Sequence, residues 1–169
     1  MGILAGRHTV DSDRDVTVFL IGMRVNQPWK VRKWLPVAKA MSPMLRHLSR
    51  DKASGLLGFN QWFGRTTMLL SYWDSPEHLQ RFAADADAPH LEPWRRFVRS
   101  VGDDGTVGIW HETYVVPAAN REVVYVNMPA FGLGKALGAR PVGSGMHTAK
   151  QRLSRHPESL PDRPQAAQP

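Results

Sequence analysis

Residues 107–134 read VGIWHETYVVPAANREVVYVNMPAFGLG. Two runs rich in β-branched and aromatic residues, 106–116 and 122–128, flank a short turn at 117–121, which is the signature of two consecutive strands. Side chains alternate along a strand, so Val107, Ile109, His111, Thr113 and Val115 share one face, and Trp110, Glu112, Tyr114 and Val116 share the other. His111 and Glu112 therefore point apart, and WHETY is not a ready-made acid/base pair. In the second run Tyr125 and Asn127 share a face opposed to Val124, Val126 and Met128.

Upstream, DVTVFLIGMRV (15–25) is bounded by charge before it and by Asn26-Gln27-Pro28 after it, as a buried strand should be. Trp34, Ala38, Met41, Leu45 and Leu48 then recur at the spacing of one helical stripe, with Pro36 near its start and Pro43 where a kink is expected. GLLGFNQWF (55–63) and TTMLLSYW (66–73) read as strands joined by a tight Gly64-Arg65 hairpin. Ser75-Pro76-Glu77 supplies a cap, a first-turn proline and an early acid, and opens a helix through about residue 84. A further helix is expected over 89–101, where His90, Trp94, Phe97 and Val101 form an apolar stripe.

The resulting order, β-α-β-β-α(α)-β-β, predicts an α+β fold: a ferredoxin-like antiparallel sheet with helices on one face and the last strand as an added edge. The open face needs cover, for which a homodimer is the natural solution. Residues 1–14 are expected to be a flexible lead-in, 15–139 the domain, and 140–169 a basic, Pro-rich tail without fixed structure.

Composition narrows the function. The chain has 169 residues, 42% hydrophobic and 22% charged, which suits one soluble domain. It has no apolar run of the roughly 20 residues needed to span a bilayer, and no signal-like segment, so the cytoplasm is expected and no membrane partner is. Without cysteine, thiolate nucleophiles, iron–sulfur clusters and cysteine-based zinc sites are excluded. The net charge of +7 does not imply nucleic acid: from Arg140 onward lie five of the 22 basic residues and only two of the 15 acidic ones. No HExxH, G-x-S-x-G or complete phosphate loop occurs, and the seven histidines show no paired metal spacing. Six tryptophans suit an aromatic-lined pocket, and suit core or dimer packing equally well.

SYWDSPEHLQRFAADADAPHLEPWRRF, VGIWHETYVV and EVVYVNMPAFGLGKA together resemble a bacterial and fungal family of small monooxygenase-like proteins, whose namesake is a fungal polyketide-pathway monooxygenase. The resemblance covers about residues 16–139. It implies the dimeric α+β-barrel superfamily, in which two ferredoxin-like protomers pair their sheets and each keeps a pocket between sheet and helices. Cofactor-free monooxygenases, haem-dependent enzymes and aldoxime dehydratases share that fold, so fold alone does not choose among them.

The leading expectation is a cofactor-independent monooxygenase acting on an aromatic or polyketide-like hydrophobic molecule. His90, His111 and Asn127 carry the chemistry in that reading, and Trp94, Phe97, Trp110, Tyr114 and Tyr125 line the pocket. The alternatives are a haem enzyme with His90 as axial ligand, and a non-catalytic dimer that binds a small molecule.

Overall fold

In the computed structural model the described residues are 2–84, 95, 99 and 103–154. They carry an α+β fold with antiparallel sheets, divided into two compact units: residues 17–115, and residues 2–16 with 116–154. The helix expected over 89–101 lies outside the described residues apart from positions 95 and 99, which are helical.

The larger unit holds a four-stranded sheet. Its strands are β2 (Val16–Val25), β3 (Leu56–Trp62), β4 (Met68–Trp73) and β5 (Val107–Val116), in the order β3-β4-β2-β5. β4 is antiparallel to both β2 and β3. The helix α1 (Val31–Arg50) joins β2 to β3, so these elements form a split β-α-β unit with β4 between its strands. The assigned helix runs through both Pro36 and Pro43.

Alternation in β4 decides which face is covered. Leu69, Ser71 and Trp73 are buried while Met68, Leu70 and Tyr72 are only partly so. Trp73 packs with Leu48 of α1 and with Leu79 of α2 (Pro76–Ala84), joined by Phe19, Met44, Leu56 and Phe82. Its ring lies 5.7 Å from that of Phe82. The indole Nε1 donates to Ser71 Oγ at 3.0 Å, and Ser71 Oγ donates to the Phe19 carbonyl at 3.1 Å, so neither of these polar groups is left unsatisfied. A second cluster joins Met23 and Val107 to Val25, Trp34, Val37, Ala38 and Ile109. Of the expected stripe of α1, Trp34 and Ala38 pack into this second cluster and Leu45 and Leu48 are buried. Ser75 caps α2 as expected, its Oγ accepting from the His78 backbone N–H at 3.4 Å.

The β3–β4 connection differs from the expected two-residue hairpin. Trp62 pairs with Met68, leaving five residues between the strands. Thr66 and Thr67 are drawn to β2 instead: Arg24 bridges Thr66, Thr67 N–H donates to the Met23 carbonyl at 2.8 Å, and Met23 N–H donates to Thr67 Oγ1 at 3.0 Å. Gly22 permits this approach, because a Cβ there would stand 2.0 Å from the Thr67 carbonyl oxygen and 2.7 Å from Trp110 Nε1.

The smaller unit corrects the expected ends of the fold. Residues 4–9, read as part of a flexible lead-in, form the strand β1 (Leu4–Thr9). The last strand of the sequence reading, β6 (Tyr125–Met128), is not an added edge of the four-stranded sheet. It pairs antiparallel with β1, which pairs on its other side with β7 (Arg140–Pro141), giving the order β6-β1-β7. Residues 140–154, placed in an unstructured tail, contain β7 and the helix α4 (Ala149–Leu153), while 155–169 lie outside the described residues. Basic composition suggested a solvated tail, yet these arginines are used internally. Arg152 is buried, donating to Glu122 Oε1 at 2.6 Å and to the Met146 carbonyl at 2.7 Å, and Arg140 pairs with Asp11. Thr148 and Gln151 form a capping box at the start of α4.

Between β6 and β7 lies α3 (Gly132–Leu137), with Gly132, Leu133 and Gly134 buried. Gly134 N–H donates to the Tyr125 hydroxyl at 3.0 Å, and a Cβ at Gly134 would meet the Tyr125 ring at 2.8 Å. Burial pushes the Tyr125 phenol above its ordinary value of 10.0, against the pull of the backbone N–H groups of Gly134 and Leu133.

Two outcomes are expected from these contacts. Gly22→Ala forces Cβ into the Thr67 carbonyl and lowers unfolding free energy by about 1–3 kcal/mol in a denaturant titration. Tyr125→Phe leaves the Gly134 N–H without its acceptor and costs about 1–3 kcal/mol. Because the folded-state value of Tyr125 is raised, its proton-linked stabilisation is fully present below pH 10.0 and is lost as the pH rises through the higher folded value. Alkaline melts of Tyr125→Phe are therefore flatter with pH than those of the parent chain.

Candidate functional site

β5 carries the candidate chemistry because its two faces meet different surroundings. On the helix-facing side Val107 is 5% exposed, and Ile109 packs into the Met23 cluster. His111 is the next residue on that face. It is exposed, and its ring lies 5.9 Å from Phe19 with the planes tilted by 43°. Phe19 belongs to the cluster of Trp73, Leu79 and Phe82, so His111 stands at the margin of an aromatic-rich apolar group. A neutral imidazole there can accept a proton from a bound molecule and return it.

Thr17 shares this sheet face with Phe19, two residues along β2, and is fully buried. Its hydroxyl has no hydrogen-bond partner among the described residues. Nothing in the sequence pattern marked Thr17, since a threonine inside a β-branched run reads simply as strand.

The opposite face of β5 presents Trp110, Glu112 and Tyr114. Trp110 Nε1 is buried without a partner among the described residues and lies against Gly22. Tyr114 OH donates to Glu112 Oε2 at 2.7 Å, and this bond holds the Tyr114 phenol above its ordinary range. Glu112 is exposed, and the nearby arginines of the larger unit are used elsewhere: Arg24 donates to Thr66 Oγ1, and Arg65 donates to the Val25 and Asn26 carbonyls. Trp110 and Tyr114 thus share a face, and His111 does not share it with them.

Tyr125, expected to line the pocket, and Asn127, expected to take part in the chemistry, both lie in the smaller unit. Tyr125 receives Gly134 N–H, as described above. Asn127 has φ of 52°, a left-handed conformation that asparagine tolerates better than most residues, and its Oδ1 accepts from Gly6 N–H at 2.8 Å. His90, expected as a base or as a haem ligand, and Trp94 and Phe97, expected to line the pocket, lie outside the described residues. Among the described residues no group of three or more His, Asp or Glu side chains is placed to hold a metal ion.

A polar cleft in the smaller unit, lined by Thr9, Ser12, Arg121, Glu122, Met146 and Arg152, was not foreseen. Its charges are satisfied internally. Arg121 donates to the Ser12 carbonyl at 2.7 Å and to the Arg14 carbonyl, with burial pulling its guanidinium below the usual range, and Arg152 is held by Glu122 and Met146. The charged side chains that line the cleft are thus engaged within the unit, Asp11 by Arg140 included.

Solved structures, a curated protein and a family model are similar to parts of this chain. A solved structure from Bacteroides thetaiotaomicron, described as a conserved protein of unknown function and possible oxidoreductase, covers 60% of this chain and 98% of its own, with 14% identity and a TM-score of 0.37. A conserved protein from Methanosarcina mazei Go1 covers 59% and 91%, with 12% identity and a TM-score of 0.39. Monooxygenase af470 of Aspergillus fumigatus is 28% identical over 131 residues. That alignment takes in 71% of this chain and 46% of the relative, so the chain spans about half the length of the fungal protein. The model of the monooxygenase af470-like family matches residues 16–133, from the start of β2 into α3, and the chain belongs to that family.

Proposed function

We propose that this protein is a cofactor-independent monooxygenase for an aromatic, polyketide-like hydrophobic substrate, with His111 as the general base. The observation that carries the proposal is the position of His111: an exposed imidazole on the helix-facing side of the sheet, in ring contact with Phe19 at the edge of the Trp73 and Phe82 cluster. A flat apolar molecule seated there places an acidic C–H beside a proton acceptor. Membership of the monooxygenase af470-like family supports the reaction class.

Dioxygen needs an electron donor, and an anthrone-type substrate can itself be that donor once deprotonated. His111 takes one proton from the methylene carbon, leaving a carbanion delocalised onto the neighbouring carbonyl oxygen. The carbanion passes one electron to dioxygen, and the resulting radicals combine to form a C–O bond. Proton return from the imidazolium gives a hydroperoxide. Loss of the second methylene proton with cleavage of the O–O bond gives a ketone and water, so one oxygen atom enters the product and the other leaves reduced. The protein's contributions are the base, orientation and exclusion of water.

We further propose that two chains pair through the sheet face opposite the helices, forming a dimeric α+β barrel. That face presents Val18 beside Tyr72 and Leu20 beside Leu70, and Tyr114 on it is 51% exposed. Light scattering should return twice the mass of the chain.

Oxygen uptake with an anthrone substrate tests the enzymatic reading. Purified protein should consume oxygen, and His111→Ala should lower kcat by about 10²–10⁴-fold with the circular dichroism spectrum unchanged. Under ¹⁸O₂ one labelled atom should appear in the ketone. Folded protein that binds the substrate without consuming oxygen would mean a binding module, and undiminished turnover in His111→Ala would remove the assigned base.

A further inference from the structure

We infer that one end of the four-stranded sheet, built from the β2–α1 loop and the β3–β4 connection, is a tip that docks on an anionic phospholipid surface. Trp29 in the first segment is 75% exposed and Phe63 in the second is 80% exposed, with Val31 at 44% and Trp62 at 38% beside them in sequence. Isolated exposed aliphatic residues are ordinary, but large aromatic rings left this open on two joined segments are not.

The two segments are fastened together. Val25 N–H donates to the Arg65 carbonyl at 2.9 Å, and the Arg65 guanidinium donates to the Val25 carbonyl at 3.2 Å and to the Asn26 carbonyl at 3.4 Å. The turn that carries Trp29 is itself fixed: Lys30 N–H donates to the Gln27 carbonyl at 3.1 Å, and Trp34 Nε1 donates to the Pro28 carbonyl at 2.9 Å. Trp34 turns its ring into the Met23 cluster while Trp29, five residues earlier, stays in solvent. The exposed rings therefore sit on a built support.

The charges around them are complementary to lipid phosphates. Arg24, Lys30, Arg32 and Arg65 are all exposed. The adjoining acids are Asp103 and Asp104, brought near by the bond from Asn26 N–H to the Thr106 carbonyl, and Asp104 is engaged by Lys33. Among the described residues five basic side chains, Arg24, Lys30, Arg32, Lys33 and Arg65, thus stand against two acidic ones, leaving the tip positive. Tryptophan and phenylalanine enter the headgroup region, while lysine and arginine reach the phosphates. Lasting attachment to a membrane surface takes two signals, and insertion of apolar rings with a basic patch supplies both. Single-stranded nucleic acid also combines aromatic and basic contacts, but it stacks along a groove that tracks its backbone, and these rings stand open to solvent on loop segments.

The docking is a peripheral contact, distinct from a membrane span: among the described residues no helix is long and apolar enough to cross a bilayer. It is independent of the chemistry proposed for His111.

Flotation of the full chain with vesicles tests it. Vesicles of equimolar phosphatidylcholine and phosphatidylglycerol should carry the protein at low ionic strength, vesicles of phosphatidylcholine alone should carry much less, and added salt should release it. Trp29→Ser with Phe63→Ser should weaken the apparent affinity by roughly tenfold or more, as should Lys30→Glu with Arg32→Glu. These side chains are exposed, and unchanged thermal melts should show both variants folded. Quenching of tryptophan fluorescence by brominated lipid should fall in Trp29→Phe. The inference is overturned if the folded parent chain fails to float with anionic vesicles, or if the Trp29→Ser, Phe63→Ser variant floats as well as the parent. It is equally overturned if a single-stranded oligonucleotide binds more tightly through the same residues, or if those residues instead drive self-association seen by light scattering.

Discussion

The packing of Trp73 between the sheet and two helices is the contact on which the larger unit depends. Its indole is 2% exposed and touches Leu48 of α1 and Leu79 of α2, so one side chain binds three elements. An indole in that position needs a partner for its N–H, and Ser71, two residues back on the same face of β4, provides it. Ser71 in turn hands its own proton to the Phe19 carbonyl of β2. Hydrophobic burial and hydrogen-bond satisfaction therefore use the same face of the same strand. Phe19, placed by this arrangement, is also the residue against which His111 rests. The position of the candidate base is thus a consequence of how the core is closed.

Much of the larger unit was legible because its signals are periodic and local. β4 alternates, α1 carries a stripe, and Ser75-Pro76-Glu77 marks the start of α2. The β3–β4 connection was misread for a physical reason. Gly64-Arg65 has the composition of a tight turn, but the next two residues gain more from pairing with β2 across Gly22 than from extending the hairpin. A glycine inside a strand can signal such close approach of a second backbone, yet nothing in the sequence says which segment approaches.

The smaller unit was largely illegible because it is held by contacts distant in sequence. β1 reads as LAGRHT, with no apolar alternation, and its partners lie near residues 126 and 140. Arginine is likewise ambiguous: the composition of 140–154 suggests solvent, whereas Arg152 is 9% exposed and spends its donors on Glu122 and Met146. The candidate site divides in the same way. Strand alternation correctly separated His111 from Glu112, but it could not show that Asn127 would adopt a left-handed conformation and accept from Gly6. In YVNMPAFGLG (125–134) the tyrosine ring is laid against a glycine turn, a contact that spacing alone does not reveal.

The family match and the folded units do not coincide, and the difference has physical content. The matched residues, 16–133, contain β6 but neither β1 nor β7. A strand of four residues with Val126 53% exposed and Met128 38% exposed cannot stand as an isolated ribbon. Its order comes from β1, which lies before the match, and β1 is flanked in turn by β7, which lies after it. Arg7 reaches further still, donating to the His147 carbonyl at 2.9 Å. The matched strand β6 is therefore held in place by chain outside the matched residues. Gly134, one residue past the match, closes on the Tyr125 ring from outside it as well, since a Cβ there would meet that ring at 2.8 Å.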